Sequence, residues 1–101
     1  MELRHLRYFV AVAETENVSK AALRLHVSQP SLSRQVRDLE EELGFPLLER
    51  RAKSVRLTEA GRVFLVEVRE MLARVETGVR KARDAAQGGG GVLRTLGMRR
   101  R

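Results

Sequence analysis

The chain has 101 residues, no cysteine and a formal charge of +7, from 20 basic and 13 acidic side chains. That length suits one small domain with accessories, the absence of cysteine excludes a disulfide scaffold, and no apolar run approaches the length of a membrane span. The charge is unevenly placed: residues 1–58 carry 10 basic and 8 acidic side chains, 59–87 carry 6 and 5, and 88–101 carry 4 and none, so local clusters say more than the total.

The opening, MELRHLRYFVAVAE, is broken by Arg4 and Arg7 and reads as neither signal peptide nor anchor, so a cytoplasmic location is expected. It forms the first predicted helix, Glu2 to about Thr15, with Leu6, Phe9, Val10 and Ala13 on an inward stripe. Tyr8 lies beside that stripe; a lone aromatic on an apolar helix is read as packing before base stacking. Glu16-Asn17 breaks the pattern, and Ser19 is the expected cap of the second helix, with Asn17 its competitor.

Residues 18–37, VSKAALRLHVSQPSLSRQVR, read as two short helices joined by a tight turn. Ala21, Ala22 and Leu25 give the first helix an inward face of small residues, and His26-Val27-Ser28 supplies the turn. Ser28-Gln29-Pro30 is a helix start, with a polar cap and proline in the first turn. Leu32, Val36, Leu39 and Leu43 then step by four, three and four, which buries one stripe and leaves Gln29, Ser31, Ser33, Arg34 and Arg37 facing outward. This is the pattern of a helix-turn-helix, whose second helix enters the DNA major groove. From Lys20 to Arg37 there are four basic residues and no acidic one. Gln can address adenine bidentately, Arg can address guanine, and serine adapts to either base edges or phosphates. The block Asp38, Glu40, Glu41, Glu42 would repel phosphates, so that end of the helix is expected to point away from DNA and to be a solvated face.

Gly44 and Pro46 stop the helix. Leu47 to Arg50 and Val55 to Thr58 are short extended runs around Arg51-Ala52-Lys53-Ser54, a connection of hairpin length. A helix-turn-helix followed by a basic hairpin makes a winged helix, and Arg50, Arg51 and Lys53 become candidates for backbone or minor-groove contact. Thr58 caps a long helix from Glu59 to about Gln87, which would extend about 40 Å, beyond the reach of so small a domain. Phe64, Val68, Met71 and Val75 follow four-three spacing, with Leu65, Leu72 and Val79 repeating alongside every seven residues. Such a stripe calls for a partner, most simply the same helix of a second chain. Gly88 to Gly91 is a linker, and the remaining basic tail is expected to be disordered.

Together the segments LRHLRYFVAVAE, SKAALRLHVSQPSLSRQVRDLEEELGFPLLER and VRLTEAGRVFL, within about residues 2–87, resemble the N-terminal DNA-binding region of LysR-type transcriptional regulators. The resemblance implies a mainly α fold: a winged helix-turn-helix over 1–58, a dimerisation helix over 59–87, and a linker with a basic tail over 88–101. It implies binding of duplex DNA as a homodimer on inverted-repeat sites, with Gln29, Pro30, Ser33 and Arg34 at the major groove and Arg50 and Lys53 at the backbone or minor groove. The opening and QPSLSRQ look most like regulators of aromatic-compound catabolism. Members of the family continue into a two-lobed ligand-sensing domain, of which GVLRTLG resembles the first few residues, so an inducer site is expected to be absent from this chain. No metal or cofactor is expected either: His5 and His26 lie on separate elements without further ligands, and no constellation suits catalysis. A competing class is an interaction protein, in which the long helix pairs with longer relatives and the DNA face is secondary.

Overall fold

The computed structural model describes residues 1–52 and 54–88; Lys53 and residues 89–101, with the expected basic tail, lie outside the described residues. The order of elements is α1 (Leu3–Thr15), α2 (Val18–Leu25), α3 (Gln29–Leu43), β1 (Leu48–Arg50), β2 (Val55–Leu57) and α4 (Glu59–Ala86). The expected mainly α winged helix-turn-helix followed by one long helix is present. Met1–Arg69 form one compact unit, and the chain from Glu70 onward belongs to a second.

In the first unit α1 packs on α2, α3 and β2. The largest fully buried side chains are Phe9, Leu32, Leu39, Leu47, Val12 and Val36. Leu32, Val36 and Leu39 of the stripe predicted on α3 are therefore at the centre of the core, with Leu43 half-buried at its end, while the stripe predicted on α1 is displaced. Ala11 and Val12 are buried, whereas Val10 and Ala13 are half-buried. With α2, α3 and β2 all lying against α1, the covered flank runs through Phe9 and Val12 rather than through Phe9 and Ala13.

The chain changes direction by left-handed backbone at Glu16 (φ 54°), His26 (φ 59°) and Gly44 (φ 90°), each closing the helix before it. Asn17 caps α2 in place of Ser19: its Oδ1 accepts from the Lys20 N–H at 2.9 Å. The helix begins at Val18, so Ser19 is already inside the first turn. Ser28 caps α3 as expected, its Oγ accepting from the Ser31 N–H at 3.2 Å.

The wing is a two-stranded antiparallel ribbon pairing Leu48 with Leu57, Glu49 with Arg56 and Arg50 with Val55. It is one residue shorter at each end than its sequence suggests. Thr58 has already turned to cap α4, its Oγ1 accepting from the Gly61 N–H at 2.9 Å and donating to the Pro46 carbonyl at 2.9 Å. The ribbon is tied back to the helices where the Val55 N–H donates to the Glu16 carbonyl at 3.1 Å.

Helix α4 enters the core through a glycine. A Cβ on Gly61 would stand 2.0 Å from the Leu47 carbonyl oxygen, so only glycine lets the helix pass this close to the start of the wing. Beyond it Leu65 and Val68 are buried, and the Phe64 ring lies 5.8 Å from that of Phe9. Glu14 at the end of α1 accepts from Arg24 of α2 at 2.9 Å and from Arg69 of α4 at 3.0 Å. The Arg69 hydrogen bond, with help from Arg24 and against partial burial, holds the Glu14 carboxyl below the usual carboxylate range.

Candidate nucleic-acid interface

An open concavity of about 260 Å³ lies between α2, α3 and the wing. Asn17, Val18 and Ser19 form its wall at the start of α2. Gln29, Ser33 and Arg37 come from α3 at steps of four, so one helical face supplies all three. Arg50, Arg51, Ala52, Ser54 and Val55 close it from the wing. Its neighbour on the outer flank of α3 is lined by Pro30, Ser33, Arg34 and Arg37, with Asp38 and Glu41 behind them.

Most of the residues singled out from the sequence thus meet on two adjoining faces. Gln29, Pro30, Ser31, Arg34 and Arg37 are exposed, and Ser33 is half-buried between the two concavities. Lys20 is exposed on α2 without lining either; Lys53 lies outside the described residues. Among the described residues Arg34 and Arg37 make no ion pair, so their guanidinium groups present all their donors to an incoming acceptor.

Other cations are engaged. Arg51 pairs with Glu49 at 3.1 Å on the surface. Arg50 sits on the same side of the ribbon as buried Val55, its pairing partner, and reaches Glu40 of α3 at 3.2 Å. Arg24, one of the four cations in the basic stretch, is turned toward Glu14 and lines neither concavity. The acidic block is not uniformly solvated either. Glu42 pairs with the amino group of Met1, and Glu40 is buried, accepting from the N–H groups of Leu47 and Leu48. The sequence does carry a signal for this: Glu40 lies four residues after Val36, on the stripe that goes inward. No local pattern in the sequence marks Asn17, Ser19, Ala52 and Ser54 as lining residues, because their place depends on where α2 and the wing meet α3.

The second candidate surface is the apolar stripe of α4. Leu65 and Val68 are committed to the core of their own chain, Phe64 is half-buried beside Phe9, and Leu72 is half-buried. Met71, Val75 and Val79 are exposed. Among the described residues no helix is long and apolar enough to cross a membrane.

The sequence model of the family described as "Bacterial regulatory helix-turn-helix protein, lysR family" matches residues 3–62, which is the whole helix-turn-helix, the wing and the first turn of α4. The chain belongs to the LysR family. Its relatives include the HTH-type transcriptional regulator TfdT of Cupriavidus pinatubonensis, 49% identical over 96 residues that are 95% of this chain and 42% of that protein. The Hca operon transcriptional activator HcaR of Escherichia coli is 53% identical over 87 residues, 86% of this chain and 29% of that protein. This LysR-family chain therefore spans less than half the length of these curated relatives. Two solved structures are similar in fold as well as sequence. One is a CbnR_DBD–DNA complex, with a TM-score of 0.81 and 48% identity, covering 85% of this chain and 99% of that one. The other is a BenM_DBD complex with catB site 1 DNA, with a TM-score of 0.85 and 47% identity, covering 88% of this chain and 96% of that one.

Proposed function

We propose that this chain binds duplex DNA sequence-specifically, as the DNA-binding part of a bacterial transcription regulator working in the cytoplasm. The observation that carries this reading is the joining of Gln29, Ser33, Arg34 and Arg37 on one exposed side of α3, beside a basic wing. Relatives that share nearly half of this chain's residues, and its fold, are described as complexes with DNA.

In this reading α3 lies in the major groove, where Gln29, Ser33 and Arg34 address base edges and Pro30 and Ser31 pack against the strand at the helix start. Arg37, Lys20, Arg50, Arg51 and Lys53 touch the sugar-phosphate backbone and fix the register. The division of labour runs 1–58 for DNA and 59–87 for pairing. Two chains associate through α4, using the exposed Met71, Val75 and Val79 together with Leu72, while Phe64, Leu65 and Val68 support that surface from the core. Two-fold pairing presents two α3 helices to an inverted repeat.

The decisive experiment is selection of bound sites from random duplex DNA, which reports sequence, symmetry and half-site spacing at once. On the selected site Gln29→Ala or Arg34→Ala is expected to cost about 1–3 kcal/mol and to flatten the preference at one base position. Equal losses on selected and scrambled duplexes would mean that these side chains touch only phosphate. For pairing, sedimentation of the wild type at micromolar concentration should show a dimer and Val75→Asp a folded monomer. A wild-type monomer that binds a full inverted repeat tightly would remove the dimer from the reading. Val68→Asp is unsuited to this test, because Val68 belongs to the core and its loss would unfold the chain.

A further inference from the structure

Among the described residues Glu40 is the only buried charged side chain, at 9% exposure. A carboxylate at that depth is tolerated only when its oxygens are occupied by donors. Its Oε2 accepts from the N–H groups of Leu47 at 2.7 Å and Leu48 at 3.0 Å, and its Oε1 pairs with the Arg50 guanidinium at 3.2 Å. All three donors belong to the segment that enters and forms β1, so one side chain of α3 holds both the backbone of the wing and its first cation. Arg50 also lines the concavity that Gln29, Ser33 and Arg37 line from α3.

The Glu40–Arg50 pair carries no net charge, so it adds little to long-range attraction for a polyanion. Its contribution is geometric. A guanidinium has five N–H donors in a rigid fork, and holding one of its nitrogens on Glu40 leaves the others aimed at fixed angles. We propose that Glu40 is a positioning residue for the nucleic-acid interface: it locks Arg50 and the first strand of the wing relative to α3, so that Arg50 meets a backbone phosphate only when α3 is in register with its site. The inference rests on the DNA-binding reading above. It assigns a specificity role to a residue that makes no contact with DNA itself.

The competing account, in which Glu40 only stabilises the fold, predicts the opposite sign. Glu40→Gln keeps a carbonyl oxygen for the two backbone amides and removes a negative charge, so a folded variant should then bind DNA as tightly as the wild type or more tightly. A positioning role predicts that affinity for the selected duplex falls about tenfold, as expected for one lost charge-assisted hydrogen bond. Affinity for a scrambled duplex should stay level or rise. Arg50→Gln should weaken selected-site binding similarly, and adding Glu40→Gln to it should cost nothing further, because the effect runs through Arg50. Arg50→Lys, which retains the charge and can still pair with Glu40 but lacks the fork, provides a second route to the same loss should Glu40→Gln fold poorly.

The measurement is fluorescence anisotropy of the full chain on both duplexes, with circular dichroism confirming the folded state at the assay temperature. A folded Glu40→Gln chain binding the selected duplex at wild-type strength would overturn the proposal, as would an undiminished Glu40→Gln loss in the Arg50→Gln background or wild-type binding by Arg50→Lys. A wild type for which no duplex can be selected would instead remove the DNA-binding reading itself.

Discussion

Leu32, Val36 and Leu39 in α3, and Met71, Val75 and Val79 in the later part of α4, recur at similar helical spacing, yet their surroundings differ. The first three are at most 1% exposed; the second three are 40%, 37% and 48% exposed. Periodicity specifies which face of a helix is apolar, and says nothing about what covers it. In the first unit the covering elements follow within a few dozen residues and close a core around α3. Among the described residues nothing covers the exposed stripe of α4 in this way, which is why pairing with a second copy belongs to the proposed function.

The largest test of this contrast is truncation at the two sites. Leu32→Ala empties a fully buried position and is expected to destabilise the first unit by about 2–5 kcal/mol. Val75→Ala, measured by urea unfolding in dilute solution where chains are single, should stay within about 0.5 kcal/mol of wild type. Comparable losses at both would mean that the α4 stripe is covered within one chain after all.

A finer test uses two glycines of the same helix. Both cost the isolated helix about 1 kcal/mol relative to alanine. At Gly61 the added methyl group meets the Leu47 carbonyl, so Gly61→Ala should destabilise by about 1–3 kcal/mol despite the better helix propensity. Among the described residues Gly78 has nothing within 4 Å of the corresponding position, and Gly78→Ala should stabilise by up to about 1 kcal/mol. Thermal unfolding of the two variants reads out opposite signs. A loss at Gly78 in dilute solution would reveal a close approach there that a single chain does not show.

These pairs also mark how far the sequence could be read. Element order, the Ser28 and Thr58 caps, the Gly44 stop and the α3 stripe follow from local rules, because each depends on residues within a turn or two. The side of α3 bearing Gln29, Ser33 and Arg37 was legible for the same reason, since steps of four define a face without reference to any neighbour. What the sequence did not reveal depends on long-range partners. Helical spacing can turn Glu40 inward, but the donors that make its burial tolerable come only when the chain returns at Leu47, Leu48 and Arg50. Gly61 looks like a weak point of a helix until the Leu47 carbonyl is seen beside it. Arg24 counts toward a basic face until Glu14 turns it away.

The smallest expected effect concerns that last residue and separates ion pairs tying elements together from those confined to one turn. Glu14 joins α1 to Arg24 of α2 and Arg69 of α4, and its carboxyl is held below the ordinary range chiefly by the Arg69 hydrogen bond. A carboxyl with a folded-state pKa below its unfolded value contributes stability that is fully present above the unfolded value, about 4.3. That contribution is lost as pH falls through the folded value. Because the side chain is 34% exposed, solvent screening limits the contribution to the range of surface pairs, about 0.2–1 kcal/mol. Glu14→Gln should therefore lower stability at pH 7 by that amount, and the difference from wild type should shrink toward zero on acidification through the region below pH 4. The Arg62–Glu59 pair within the first turn of α4 serves as the control: it is exposed and joins no two elements, so Glu59→Gln should change stability at pH 7 by less than Glu14→Gln does. Urea midpoints at pH 7 and pH 3 for both variants decide the matter. A Glu14→Gln deficit that persists undiminished at pH 3 would show that the side chain acts through packing rather than through its charge.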